Sequence, residues 1–120
     1  MKKPIIRIAS LLLTVILAFS CYVPVEDYVV LSENSPKNVD TSAENQTFTC
    51  SFSTSKYWET IISPEDANWL STEPSSGIVG SGRILISLTA NWGESSRTGT
   101  VKIVAGDAVE TITVTQRNFN

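Results

Sequence analysis

Four runs in this chain alternate apolar and polar residues almost without error: Phe48-Thr49-Cys50-Ser51-Phe52, Ile84-Leu85-Ile86-Ser87-Leu88, Val101-Lys102-Ile103 and Ile112-Thr113-Val114-Thr115-Gln116. A period of two puts every second side chain on one face of a strand. Each run therefore has a face to bury and a face to leave wet, the pattern of antiparallel sheets that face each other across a core. Beyond the first 20 residues no stretch sustains a helical period.

Turn signals divide these runs. Ser63-Pro64-Glu65-Asp66 is one, since proline presets the first bend and aspartate can bond its own backbone. Glu73-Pro74-Ser75-Ser76-Gly77 and Gly80-Ser81-Gly82 read as two more. Gly99 to Val104 and Val109 to Gln116, joined by Ala105-Gly106-Asp107-Ala108, read as a hairpin. Weaker strands are expected at Tyr28-Val29-Val30-Leu31 and Tyr57 to Ile62, with a short apolar piece at Trp69-Leu70 and a brief extended piece near Val39. Six to seven short strands spaced by turns predict an all-β, immunoglobulin-like antiparallel β-sandwich, with a small barrel as the competing closure.

The front of the chain is of another kind. Lys2 and Lys3 precede an apolar run from Ile5 to Phe19, and small residues lead to Cys21. This is the pattern of an export signal, and it is short for a membrane span, which takes roughly 20 apolar residues. A single N-terminal anchor helix is the competing reading. Leu17-Ala18-Phe19-Ser20-Cys21 resembles a bacterial lipobox, in which the cysteine becomes the lipidated first residue of a lipoprotein. Ala18 and Phe19 depart from the usual box, and Ala18-Phe19-Ser20 also suits ordinary signal peptidase. The expected organisation is a signal over 1–20, a tether over 21–27 and one β-domain over 28–117. The expected location is the outer membrane or cell surface through a lipid on Cys21, with a secreted or periplasmic protein as the alternative. Without that lipid, a disulfide between Cys21 and Cys50 becomes possible.

Charge and residue types narrow the function. Three of the nine cations (Lys2, Lys3, Arg7) lie in the signal, which holds no acid; six then stand against twelve acids, a net charge of −6. Such a domain lacks the clustered cations that nucleic acid requires and the basic patch that anionic lipid requires. With no histidine and two cysteines, neither a metal site nor a Cys/His catalytic pair is expected. No carboxylate pair is placed for glycoside hydrolysis, and no nucleophile elbow is present. The chain reads as a non-enzyme without a cofactor.

What remains is recognition. Exposed Trp and Tyr rings stack on the flat C–H faces of sugars while polar neighbours bond the hydroxyls. The candidates are Tyr57, Trp58, Trp69 and Trp92, with Asn91 and Glu94 beside Trp92 as hydrogen-bonding groups. Each has a plainer reading. Trp69 and Trp58 suit core positions, Trp92 can fold back as a cap, and Asn91 suits a turn. Arg97 suits a bond to loop carbonyls, and Gln116 a backbone pairing at an edge.

The second half resembles the BACON domain family, immunoglobulin-like modules of exported proteins. The resemblance rests on Trp69-Leu70, Pro74-Ser75-Ser76-Gly77, Ile84-Leu85-Ile86-Ser87-Leu88, Asn91, Arg97-Thr98-Gly99-Thr100-Val101 and Ile112-Thr113-Val114-Thr115-Gln116, in that order. It is best over 57–116. It implies a module often attached to glycoside hydrolases, with carbohydrate, including mucin glycans, as the expected partner. The competing expectation is a structural spacer, or a contact domain for protein partners in a surface assembly.

Overall fold

The structure is a computed structural model, and it describes residues 26–119. The signal, Cys21 and most of the tether lie outside the described residues. Among the described residues there are nine strands and no helix: β1 (Val29–Leu31), β2 (Asn38–Thr41), β3 (Gln46–Thr54), β4 (Trp58–Ile62), β5 (Leu70–Glu73), β6 (Ser76–Gly77), β7 (Gly80–Leu88), β8 (Arg97–Ala105) and β9 (Ala108–Gln116). They form two sheets, ordered β1-β3-β7-β5 and β2-β9-β8-β4-β6. The fold is a β-sandwich.

The four alternating runs are the long central strands β3, β7, β8 and β9. Their inward residues make the core: Cys50 and Phe52 from β3, Ile84, Ile86 and Leu88 from β7, Val101 and Ile103 from β8, Ile112 and Val114 from β9. Each fully buried Val, Leu, Ile or Phe side chain is worth about 1.5–3 kcal/mol relative to exposure. Phe48, expected inward, is only partly buried against this core. Trp58 enters from β4 and meets Phe52 edge to face at 4.9 Å and 86°.

The observed fold departs from the expected one in three respects. First, nine strands replace six or seven, because β2, β5 and β6 are short edge pieces. Ser76 and Gly77, read as turn, pair with Glu59 and Trp58. Second, β2 runs parallel to β9, with Val39 opposite Val114, in an otherwise antiparallel pattern. Third, Gly80-Ser81-Gly82, read as a turn, opens β7 and stays in register with β3 to Thr54. Packing explains this. Gly82 sits opposite Phe52, and a Cβ there would collide with the Phe52 ring. The glycine marks a close approach within a strand, not a bend.

The strands also define two ends. Thr54 of β3, Gly80 of β7, Ala105 of β8 and Ala108 of β9 lie at one end, where β1 begins. Leu88, Arg97 and Gln116 lie at the other. Nine-residue strands separate the ends by about 26 Å.

Candidate functional site

The Asn91–Arg97 loop closes the far end, and a polar network beneath it fixes its course. Gln116, the last residue of β9, is fully buried. Its Nε2 donates to the carbonyls of Ala43 (3.2 Å), Glu44 (3.1 Å) and Thr89 (2.9 Å). Its Oε1 accepts a bond from Arg97 Nε at 2.9 Å. Arg97 Nη2 donates to the carbonyls of Thr89 (2.8 Å) and Ala90 (3.3 Å), and the guanidinium lies 4.4 Å above the Trp69 ring. Burial pushes the Arg97 guanidinium below its ordinary value.

Asn91 completes the network. Its Nδ2 donates to the carbonyls of Ser95 (3.0 Å) and Gln116 (3.3 Å), and its Oδ1 accepts the Gly93 N–H at 3.1 Å. Among the described residues no buried side-chain polar atom lacks a partner. Buried polar groups that are all satisfied favour one loop geometry over its alternatives.

On this base Trp92 is displayed to solvent, 81% exposed. One face of its indole stacks on Phe119, with centroids 4.4 Å apart and planes at 30°. Asn118 Nδ2 holds the tail that carries Phe119 by donating to the Glu94 carbonyl at 3.0 Å. Beside Phe119 is an open hollow of about 290 Å³, lined by Ser42, Ala43, Glu44, Arg117 and Asn118. The Ser42 hydroxyl and Glu44's own backbone N–H hold the Glu44 carboxyl below its ordinary range, with Arg117 adding to the effect. An aromatic shelf thus adjoins an ionised carboxylate, a guanidinium, a hydroxyl and an amide.

The structure separates the candidates, and Trp69 is a core residue beneath Arg97. Trp92 and Tyr57 are exposed, at 81% and 75%. They stand at opposite ends, since Tyr57 precedes Trp58, which pairs with Ala105, so they form no common platform. Trp58 is a core residue: it is buried against Phe52 and presents no ring face to a ligand. Asn91 is buried as well, and its amide is spent on Ser95, Gln116 and Gly93. Both therefore leave the list of ligand contacts, and Asn91 becomes the residue that shapes the loop. Gln116 does bond neighbouring backbone, but β9 lies between β2 and β8, so it is the buried hub of the network and not an edge residue. Cys50 is a buried thiol whose pKa burial pushes up, an inert position.

Phe119 was not anticipated. It follows the last alternating run and carries no periodic signal, so only the fold shows that it lies against Trp92. Among the described residues no group of three or more His, Cys, Asp or Glu is placed to hold a metal ion.

The architecture and this end define a class: a two-sheet β-sandwich module whose loops, not a cleft, carry its distinctive side chains. The family is narrower. The viral BACON domain matches residues 31–118, and the chain belongs to the BACON family, whose domains are non-catalytic. No curated protein matches. Among solved structures, a Bacteroides ovatus GH5 xyloglucanase in complex with a XXXG heptasaccharide is similar with a TM-score of 0.66 and 22% identity, over 77% of this chain and 19% of that one. This chain thus spans about a fifth of that enzyme's length. A protein from Bacteroides thetaiotaomicron, solved by NMR, is similar at a TM-score of 0.48 and 14% identity, over 81% of this chain and 92% of that one.

Proposed function

We propose that this domain is a non-catalytic glycan-binding module, held at an outer membrane or cell surface through a lipid on Cys21. The observation that carries the sugar reading is Trp92: an 81% exposed indole, backed by Phe119, on a loop held from beneath by buried hydrogen bonds. A large ring kept in water on an ordered loop suits the C–H face of a pyranose. Ser42, Glu44, Arg117 and Asn118 stand where hydroxyls of a neighbouring sugar can be bonded. Phe119 covers one indole face, leaving the other for a single stacked ring. The partner is a polysaccharide or a mucin-type glycan, as the family resemblance implies.

The test is retention of the protein on immobilised mucin and on plant and host polysaccharides. Retention is expected, and Trp92→Ala should weaken it at least about tenfold, equivalent to about 1.4 kcal/mol. Phe119→Ala should weaken it less, because the indole keeps its free face. Absence of binding across a broad glycan array, with the domain folded, would refute the reading in favour of a spacer or protein-contact domain.

A further inference from the structure

The end opposite Trp92 gathers most of the remaining large exposed apolar side chains. Tyr28 (42% exposed), Tyr57 (75%), Ile78 (71%), Val79 (55%) and Val109 (55%) all lie there. Tyr57 and Val79 are neighbours in space, lining one open hollow with Ser55, Lys56 and Gly106. The same Tyr57 and Gly106 line a second hollow with Val104. Tyr28 joins them through Ser55, whose Oγ accepts the Tyr28 N–H at 2.8 Å. An apolar end of this kind on a small domain marks a contact surface.

The chain enters the fold at this same end, and it is pinned there. Asp27 accepts the Asp107 N–H at 2.8 Å, in the turn between β8 and β9, and pairs with Lys56 at 3.2 Å. Cys21 lies only six residues before Asp27. At full extension such a segment spans no more than about 20 Å. Any membrane anchor on the N-terminal side therefore holds this end, and not the Trp92 end, next to the bilayer.

We infer that the Tyr57–Ile78–Val79 end is a lipid-docking surface, seated on the interface of a zwitterionic bilayer so that the Trp92–Phe119 end faces outward. Tyrosine suits the headgroup level, with its ring in the apolar layer and its hydroxyl in water, and Ile78 and Val79 reach the acyl boundary. The charge at this end fits neutral lipid. Lys56 is paired with Asp27, while Glu26, Glu59 and Asp107 add acids that would repel an anionic surface. The inference rests on the N-terminal tether proposed above and is independent of the sugar reading.

The test uses the full chain, made in a bacterial host and reconstituted into phosphatidylcholine vesicles carrying a spin-labelled quencher lipid. A fluorophore is placed at Ile78→Cys or at Glu94→Cys, with the signal of the unsubstituted chain subtracted. Several-fold stronger quenching at 78 than at 94 is expected. Adding Val79→Asp should lower the quenching at 78 to the level at 94, without changing the urea midpoint, because Val79 is exposed. Equal quenching at the two sites overturns the inference, as does quenching at 78 that survives Val79→Asp. A label at 78 that is shielded from aqueous iodide yet unquenched by lipid also overturns it, since a protein or a second copy then covers the end. A chain that fails to float with the vesicles overturns the tether, and the docking with it. Glycan retention, measured without membranes, is untouched by any of these results.

Discussion

The two ends of the sandwich are closed by different physics. At the Trp92 end, Gln116, Arg97 and Asn91 bury polar atoms against the carbonyls of two loops and of β9 itself. Once desolvated, those atoms must be bonded, and losing one partner costs more than the bond itself contributes. At the Asp27 end one buried hydroxyl, that of Thr54, bonds the Lys56 carbonyl at 2.9 Å, and the chain's entrance is closed by the Asp27 carboxylate, the Asp107 N–H and the largely exposed Lys56 ammonium, where solvent and salt weaken the pairing. The comparison teaches that the exposed aromatic at one end stands on a buried polar network, whereas the exposed apolar group at the other stands beside an ion pair that water reaches.

The comparison breaks most readily at Gln116. Gln116→Leu removes the donor shared by the Ala43, Glu44 and Thr89 carbonyls and the acceptor of Arg97 Nε. A loss of about 3 kcal/mol in urea-denaturation stability is expected, together with weaker glycan retention although no proposed ligand contact is touched. A loss near zero would mean that the network merely accompanies a fold set elsewhere. Arg97→Lys sharpens the point with a smaller effect. Lysine keeps the charge but cannot reproduce the Nε bond to Gln116 or the planar stacking over Trp69. A loss of about 1–2 kcal/mol is expected, from one charge-assisted bond. Hydrogen exchange should show faster opening confined to the Asn91–Arg97 loop.

These polar residues also mark where the sequence stops being legible. The central strands could be read directly, because Ile84, Ile86, Val101, Ile112 and Val114 repeat every second residue and each repeat demands burial. The short edges were legible only in part. An extended piece near Val39 and an apolar piece at Trp69-Leu70 are expected from the sequence, but their partners are not, and Ser76–Gly77 reads as a turn yet becomes a strand because β4 offers its backbone. Gly82 misled for the same reason: the ring that requires it, Phe52, is 30 residues away. At the site, the polar loop context of Trp92 left exposure and a folded-back cap equally open, and the structure exposes the ring. The buried roles of Asn91 and Gln116 depend on carbonyls from distant loops, and the position of Phe119 depends on how the tail turns after β9. None of these leaves a local trace.

The smallest effect, and the most specific, concerns the latch at the chain's entrance. The Asp107 N–H, and then the Lys56 ammonium, hold the Asp27 carboxyl below its ordinary range. A lowered folded-state value means that the ionised form is preferred in the native protein. Its contribution to stability is therefore present above the unfolded value, near pH 4, and fades as pH falls through the lower folded value. Asp27→Asn should be slightly less stable than the parent at pH 7. The gap should narrow in high salt, because the Lys56 partner is largely exposed, and close at the acid end of a urea titration series. Gln116→Leu should show no such salt dependence, because its bonds involve no exposed ion pair. If the Asp27 gap stays constant down to pH 2, the charge on Asp27 does not hold the latch, and neither the Asp107 bond nor the Lys56 pair draws on it. The two ends would then differ in where their bonds lie and not in their kind.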